Sequence, residues 1–576
     1  MKVCVVGAGP CGLTTIKQLL DEGHEVVCFD KNEEVGGIWL RDDGDDGDTK
    51  VKAYDNLYLT ISMKLMAYSD HPFQGDRVFY TRRQYFDYLK QYSDTYGLGD
   101  RIRFASEVTN IQRDPNSEGW TVSVRRDGLD STELFDAVAI CSGPFKTPNR
   151  DIAGLEGFSG EIVHSAEYRN NERFRGKRVL IVGLAESGGD IVREIGDVAD
   201  AATLSIRSYT FVLPRVFNRD RTTDHGTVRS HVHEMCRRSS DQPFVLDSFW
   251  GRNPIAKAVF LAMSVVYGIF ATAQGAVRHI GDKLIPGKRT VRATGLNPLG
   301  EPLDPPKLDV GTLQNDENWD MIRTWNRRSH PDGTWAQRGI FCKNASFIPS
   351  IVSGRVSLND AGIDRSDGNK VFFKDADVEE FDTIVLCTGF SNEGLSVGDL
   401  QVKDGNVRNL YKHFLHPEHN GTAAFIGFIR PFSGGIPICA EMQARYFALV
   451  CSGKQQLPGN LDEIVGREKE WEEHWTALSP RHTEAIPSQV LYLDALAREI
   501  GALIPMRTMI LNPKLFIQLW FGSFNPACYR VVGPHNRGAD ALADLYSEPV
   551  GNRKEMALRM PLLQLLPSSV HPKNLI

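Results

Sequence analysis

Apolar and polar positions along this chain follow two periods, and the same succession of periods occurs twice. Residues 2–7 (KVCVVG) are a nearly unbroken apolar, β-branched run, as expected of a strand buried on both faces of a parallel sheet. From Thr14 to Leu20 the apolar positions fall at helical spacing, and Glu25–Asp30 reads as a second strand. The succession returns at Arg178–Gly183 (RVLIVG), with a helix predicted from about Ile191 and a strand over Ala202–Arg207. Two strand–helix–strand units predict two parallel sheets covered by helices. A further stretch, Ala258 to Val277, carries no charge and is bounded by Lys257 and Arg278. Its length suits a bilayer crossing of about 20 residues, but Ser264, Tyr267, Gly268, Thr272, Gln274 and Gly275 dilute it. A buried helix, a helix lying on a membrane surface and a transmembrane span all stay open for it.

The turns inside the two units carry the candidate chemistry. In the first, Gly7, Gly9 and Gly12 enclose Ala8, Pro10 and Cys11 in a G-x-G-x-x-G pattern. Gly7 suits the tight turn, Gly9 the approach of a pyrophosphate, and Gly12 the contact of helix with strand. The helix N-terminus adds unpaired N–H groups and a positive dipole end. Asp30 closes the second strand, where its carboxylate would accept from ribose hydroxyls and repel a 2′-phosphate. The first site is therefore expected to take FAD or NAD. Gly36-Gly37-Ile38-Trp39, with room for backbone approach and an indole to cover a flat ring, tilts the choice to FAD. A packed turn without a ligand is the other reading of that stretch.

The second unit reads Gly183-Leu184-Ala185-Glu186-Ser187-Gly188-Gly189-Asp190. Ala185 stands at the middle glycine and narrows the cradle, and Glu186 places an acid beside expected phosphates. The following strand ends in Ser205-Ile206-Arg207-Ser208 instead of an acid. An arginine fork there suits a 2′-phosphate, so NADPH is the expected second cofactor. A solvated surface charge is the alternative role for Arg207.

Bulk properties change this picture little. The chain has 576 residues, 41% hydrophobic and 24% charged, which predicts three or four globular units. A net charge of -7 gives no reason to expect nucleic acid as a partner. Ten cysteines stand singly without a C-x-x-C pair, which favours a reducing, cytoplasmic compartment and disfavours a flavin disulfide reductase. The first apolar run passes into glycines, not a cleavage site, so no secretory leader is expected. His225, His231, His233, Glu234 and Cys236 crowd one polar stretch, but their spacing fits no zinc pattern and no metal is expected. Asn344-Ala345-Ser346 and Asn420-Gly421-Thr422 match a glycosylation acceptor; in a reducing compartment they are expected to be ordinary turns. No G-x-S-x-G follows a predicted strand, so a Ser/His/Asp triad finds no support.

Between the two units, Phe158 to Tyr168 (FSGEIVHSAEY) resembles the F-x-G-x-x-x-H-x-x-x-Y signature of class B flavin-containing monooxygenases. Tyr168-Arg169 points to the heteroatom-oxidising branch, since the related Baeyer–Villiger enzymes usually carry Trp there. Leu386-Cys387-Thr388-Gly389-Phe390, Ile426-Gly427-Phe428, Pro431–Ala444 with Arg445, and Tyr529–Pro534 extend the resemblance over roughly residues 1 to 540. It thins between about 216 and 335, where longer family members carry an insertion associated with membrane contact and a substrate tunnel.

The resemblance implies an α/β fold with two Rossmann-like dinucleotide-binding domains, the FAD domain split around the NADPH domain, and a largely helical insertion. The expected parts are FAD domain 1–154 and 389–450, NADPH domain 155–215 and 336–388, insertion 216–335, and C-terminal helical segment 451–576. Carried over by motif, FAD would touch Gly7, Ala8, Gly9, Pro10, Cys11 and Gly12, Asp30, Gly37, Ile38, Trp39 and Thr60–Ser62. NADPH would touch Thr60, Gly183, Ser187, Gly188, Gly189, Asp190 and Arg207. His164 is implied as a link between the domains and not as a proton carrier. The implied reaction forms a C4a-hydroperoxyflavin and oxygenates an amine nitrogen or thioether sulfur of a small molecule with O2. Baeyer–Villiger oxygenation, uncoupled NADPH oxidation and a non-catalytic nucleotide-binding role are the alternatives. One position departs from the family: Ile61 stands where an asparagine at the flavin is usual. Isoleucine has no donor or acceptor, so Ser62, Thr60 or the nicotinamide amide is expected to supply the missing bond. Peripheral membrane contact through the insertion and a homodimer are both compatible with the chain.

Overall fold

The computed structural model describes residues 1–40, 53–73, 78–115, 117–218, 221–222, 224, 229, 316–329, 342–391, 395–431, 434–475, 482–486 and 488–548. Two five-stranded parallel sheets organise it. In the first, β1 (Lys2–Val6) lies at the centre. It pairs on one side with β2 (Glu25–Phe29), which pairs with β3 (Ile102–Arg103). On its other side lie β4 (Ala137–Ile140) and then β10 (Ala423–Phe425). Val3, Cys4 and Val5 are fully buried, which is why their run is unbroken by polar residues. Strand order reverses at β1, and a crevice for a ligand opens at such a switch point beyond the strand C-termini.

The second sheet repeats the plan around β6 (Arg178–Val182). It pairs with β7 (Ala201–Ser205) and then β8 (Ser357–Asn359) on one side, and with β9 (Thr383–Leu386) and β5 (Glu161–His164) on the other. Because β10 follows β9 in the chain yet joins the first sheet, the first dinucleotide-binding fold is split around the second. Buried apolar side chains divide accordingly. One group draws on residues 3–141 and 395–545, the other on residues 54, 168–212 and 322–387.

The helices start earlier than periodicity predicts. Helix α1 spans Pro10–Asp21 and α2 spans Glu186–Gly196, so the first turn of each lies inside the glycine-rich segment. Pro10, with its fixed φ and no N–H to leave unpaired, suits the first helical position. Apolar spacing becomes visible only where the helix meets the core. Strand β7 ends at Ser205, which leaves Arg207 two residues beyond it.

A third helix, α3 (Ile436–Cys451), packs on α1 and closes the first fold from the return segment. Gly427 just before it has φ +85, and a Cβ there would come 2.2 Å from Cys11 Sγ. The C-terminal segment is tied on by buried Arg530, which donates to Asp70 at 2.9 Å, Glu441 at 2.7 Å and Ser69 at 2.9 Å. Among the described residues of 216–335 are a short antiparallel pair, Val216–Asn218 with Arg221–Thr222, and a helix, Asp316–Ser329. The Ala258–Val277 stretch and His225, His231, His233, Glu234 and Cys236 lie outside the described residues. Among the described ones no helix is long and apolar enough to cross a membrane, and no group of three or more His, Cys, Asp or Glu could hold a metal ion. Asn344-Ala345-Ser346 and Asn420 do sit at turns, Asn420 with φ +47 and Asn344 fully buried.

Candidate active site

The glycines of the first cradle are required for different reasons. A Cβ on Gly12 would come 1.7 Å from the Gly7 carbonyl oxygen, so α1 can lie on the end of β1 only without a side chain there. Gly7 has φ +100, and a Cβ on it would meet the Cys141 carbonyl at 2.9 Å. Gly9 is otherwise. Its φ of -74 is open to any residue, and a Cβ would meet only the Gly37 backbone, 3.5 Å away at the nearest. Nothing in the protein demands glycine at position 9, so the room it leaves suits a ligand. Opposite it, Gly37 (φ +58) opens the turn Gly37–Trp39, and the Gly36 N–H donates to the Ala8 carbonyl at 3.0 Å.

Asp30 is buried and already occupied in part. Its carboxylate accepts from the Ala8 N–H at 2.6 Å and the Asn32 N–H at 2.7 Å. Burial pushes this carboxyl up, and the two N–H bonds offset that only partly. The acid therefore shapes the loop as well as standing where a ribose would lie. Pro10, Ile38 and Trp39 are half-buried, Ala8 and Cys11 buried. Trp39 is set edge-on to Tyr85, ring centroids 4.7 Å apart.

The second cradle has the same turn and looser packing. Gly183 has φ +91 and a would-be Cβ 2.8 Å from the Cys387 carbonyl, whereas a Cβ on Gly188 would lie 3.2 Å from the Gly183 carbonyl. Gly189 faces Asn344, with 2.9 Å for a Cβ. Ala185, in extended backbone at φ -145, and Ser187 are exposed at the mouth. Asp190, expected at the cofactor, is turned into the protein. One oxygen accepts from Tyr54 at 2.5 Å and Arg215 at 3.3 Å, the other from Asn344 at 2.8 Å and Ser346 at 3.2 Å. Burial pushes its carboxyl up, but Arg215, Arg193 and these hydrogen bonds outweigh it and hold it below the usual range. Both oxygens are thus taken up in joining α2 to Tyr54 and to the 344–346 turn. Arg207 is exposed and pairs with no described residue.

Between the cradles, the segment Thr60–Ser62 meets residues that the motifs do not mark. Thr60 and Ile61 are half-buried, and Ile61 packs on the first core. The Ser62 N–H donates at 2.7 Å to Asp224, whose other oxygen is ion-paired with Lys343. Both partners of that pair are buried. Burial alone would raise Asp224, yet the Lys343 ammonium holds it below its ordinary value. The Lys343 backbone N–H in turn donates to Glu186 at 2.9 Å. One residue thus touches both the Ile61–Ser62 peptide, through Asp224, and the mouth of the second cradle. Asp224 and Lys343 are well over a hundred residues apart, and no local signal announces either.

Similarity to known proteins follows this geometry. The family model described as "Flavin-binding monooxygenase-like" matches residues 1–248 and 329–545. The chain belongs to that family. A 4-hydroxybenzoate brominase (decarboxylating) of Marinomonas mediterranea is 33% identical over 93% of this chain and 90% of its own length. Flavin-containing monooxygenase 2 of Homo sapiens is 26% identical over 92% of this chain and 89% of its own. Among solved structures, the S-allyl-L-cysteine S-oxygenase of Allium sativum superposes with a TM-score of 0.53 at 20% identity, covering 95% of this chain and 98% of that one. The last likeness speaks to fold alone.

As a flavin-binding monooxygenase-type oxidoreductase, the chain binds a flavin; FAD and NADPH are the two cofactors expected of its cradles. The residues present fit both. The first cradle has a glycine that only a ligand calls for and an acid at its strand end; the second has, two residues past its strand, an exposed arginine that pairs with no described residue. His164 keeps to a structural place. Its Nε2 lies 3.1 Å from the Gly389 carbonyl and its Nδ1 accepts from the Ala166 N–H at 3.0 Å. Burial, aided by Arg150, pushes it down to about 4, so it is neutral near pH 7.

Proposed function

We propose that this chain is an NADPH- and FAD-dependent monooxygenase that transfers one oxygen atom of O2 to a soft nucleophile, an amine nitrogen or thioether sulfur, in a small molecule. The contrast between buried Asp30 and exposed Arg207, in two cradles of one family member, carries the reading. In it FAD lies along Gly7–Gly12, Asp30, Gly37–Trp39 and Thr60–Ser62, and NADPH along Gly183–Gly189 and Arg207. When bound, FAD supplies hydride acceptance from NADPH and the activation of O2. The protein's share is placement. The N–H groups of each helix start hold phosphates, and the Arg207 fork takes the 2′-phosphate. Asp224 pins the peptide between Ile61 and Ser62, and the apolar Ile61 side chain keeps water from the ring. Thr60, Ser62 or the nicotinamide amide would donate the hydrogen bond that Ile61 lacks. The net change is substrate, O2, NADPH and one proton giving oxygenated substrate, water and NADP⁺.

A second reading is favoured by the greater identity to the brominase. Bromide is itself a soft nucleophile, and its oxidation would deliver bromine to a phenol carboxylate with loss of CO2. The test gives the FAD-loaded protein NADPH under air with a tertiary amine, with a thioether, and with bromide plus 4-hydroxybenzoate. Products are identified by mass and peroxide is measured. N- or S-oxide with little peroxide supports the first reading and bromophenol the second. Peroxide equal to NADPH consumed in all three mixtures overturns both in favour of an oxidase.

A further inference from the structure

Glu186 is an acid at a place built for anions. It is the first residue of α2, the position held by uncharged Pro10 in the first cradle. Oε1 accepts the Lys343 N–H at 2.9 Å. Oε2 is sheltered from solvent and accepts no hydrogen bond among the described residues. The charged and titratable groups that face it come from several elements. Among the described residues they are Arg430 after β10, Arg215 after β7, and Lys343 and Cys342 before β8. Phosphates drawn to the same helix end compete with Glu186 for these cations and repel its charge.

We propose that Glu186 accepts a proton when NADP(H) binds, and that the neutral carboxyl donates its Oε2–H to a phosphate oxygen of the dinucleotide. The proton comes from solvent, and no covalent bond of the cofactor is made or broken. An acid in the cradle then becomes a donor, which resolves its clash with the phosphates. Burial holds the Glu186 carboxyl above its usual range, against the pull of the Lys343 N–H, Arg430 and Arg215, and binding of an anion shifts it further in the same direction. The sign is definite. Binding selects the protonated form, so affinity is full below the pKa of the free protein. It falls by up to about tenfold per pH unit until the pKa of the complex, and is flat above it. The first cradle, with Pro10, has no such proton.

The experiment is calorimetric titration of NADP⁺ into the FAD-loaded protein, in buffers of different ionisation enthalpy and across pH, beside Glu186→Gln. The wild type should take up more protons than E186Q, by a difference approaching one. E186Q, a permanent donor, should bind as tightly as wild type at low pH and about tenfold or more tighter at high pH. The 2′-phosphate titrates equally in both proteins and cancels in the comparison. A second readout needs no variant: the infrared difference spectrum of the wild type should gain a carboxylic C=O band when NADP⁺ binds. Equal proton uptake by the two proteins, or weaker binding by E186Q at every pH, overturns the proposal in favour of an ionised Glu186 accepting from a ribose hydroxyl. So does a spectrum without the band.

Discussion

The two cradles share a sheet order and a turn, yet they are built to different tolerances. In the first, a Cβ at the third glycine would overlap the loop at 1.7 Å; in the second the equivalent approach is 3.2 Å. The first has glycine and proline where the second has Ala185 and Glu186, and a buried acid directly after its second strand where the second cradle has Ile206 followed by exposed Arg207. The first sheet is also covered by α3 and clamped through Arg530, while the second opens at Ala185 and Ser187. A tight cradle suits a cofactor that stays bound, and an open one suits a cofactor that must leave each cycle as NADP⁺. Affinity differences between related sites reside mainly in the off-rate, so packing at the cradle is a direct way to set residence.

Gly12→Ala should have the largest effect on this contrast. No flexible side chain can yield, because the clash is with the Gly7 backbone. Overpacking of this kind costs roughly 3 kcal/mol or more, so the variant should be recovered without FAD and with a much lowered melting temperature. Gly188→Ala, at the matching place, should keep its FAD and melt within a few degrees of wild type. Equal damage from both would mean that the cradles do not differ in tightness.

Arg207→Ala comes next and probes the strand ends. A hydrogen bond to a charged group contributes about 1.5–3 kcal/mol, so NADPH should bind roughly 10- to 150-fold more weakly. NADH should bind as before, because the lost bonds are those to the 2′-phosphate. Steady-state KM values for the two nucleotides, with FAD content measured alongside, check this. Equal losses for both would place Arg207 outside the phosphate site.

Gly9→Ala separates ligand space from protein space. The apoprotein should melt as the wild type does, since the new methyl meets only Gly37 at contact distance. FAD should be held roughly 5- to 150-fold less tightly, from ~1–3 kcal/mol of crowding. Fluorescence titration of the apoprotein with FAD reads the second effect and a thermal melt the first. A destabilised apoprotein would return Gly9 to a packing role.

Which parts of this contrast were legible in the sequence follows from how local they are. Strands β1 and β6 are buried on both faces, so their character lies in five consecutive residues. Asp30 and Arg207 lie a short, regular distance beyond each glycine pattern. The helix starts were less legible, because the first turn of each carries glycines and no apolar face. The inward turn of Asp190 depends on Tyr54, Arg215, Asn344 and Ser346, which share no periodicity with it. The ion pair of Asp224 with Lys343 joins the 216–335 region to the 342–344 segment, and only folding brings the two together. Buried carboxylates are recognisable by their partners, and here the partners are distant in the chain.

Ala185→Gly should be the smallest change and the most discriminating. Ala185 caps α2 from extended backbone at φ -145, which any residue adopts, so glycine relieves no strain. Glycine is a better N-cap than alanine, but it also adds about 0.4–1 kcal/mol of backbone entropy to the unfolded chain. The two effects oppose each other, and the melting temperature should barely move. Removing the methyl should bring NADPH closer and tighten it by less than about tenfold, because the mouth at Ala185 is exposed and leaves room for phosphates to sit further out. FAD content should not change. A gain in NADPH affinity as large as the loss of FAD affinity in Gly9→Ala would mean that the two cradles hold their phosphates at the same depth. A loss would mean that the Ala185 methyl is itself a contact, and that the second cradle is shaped for its alanine and not merely tolerant of it.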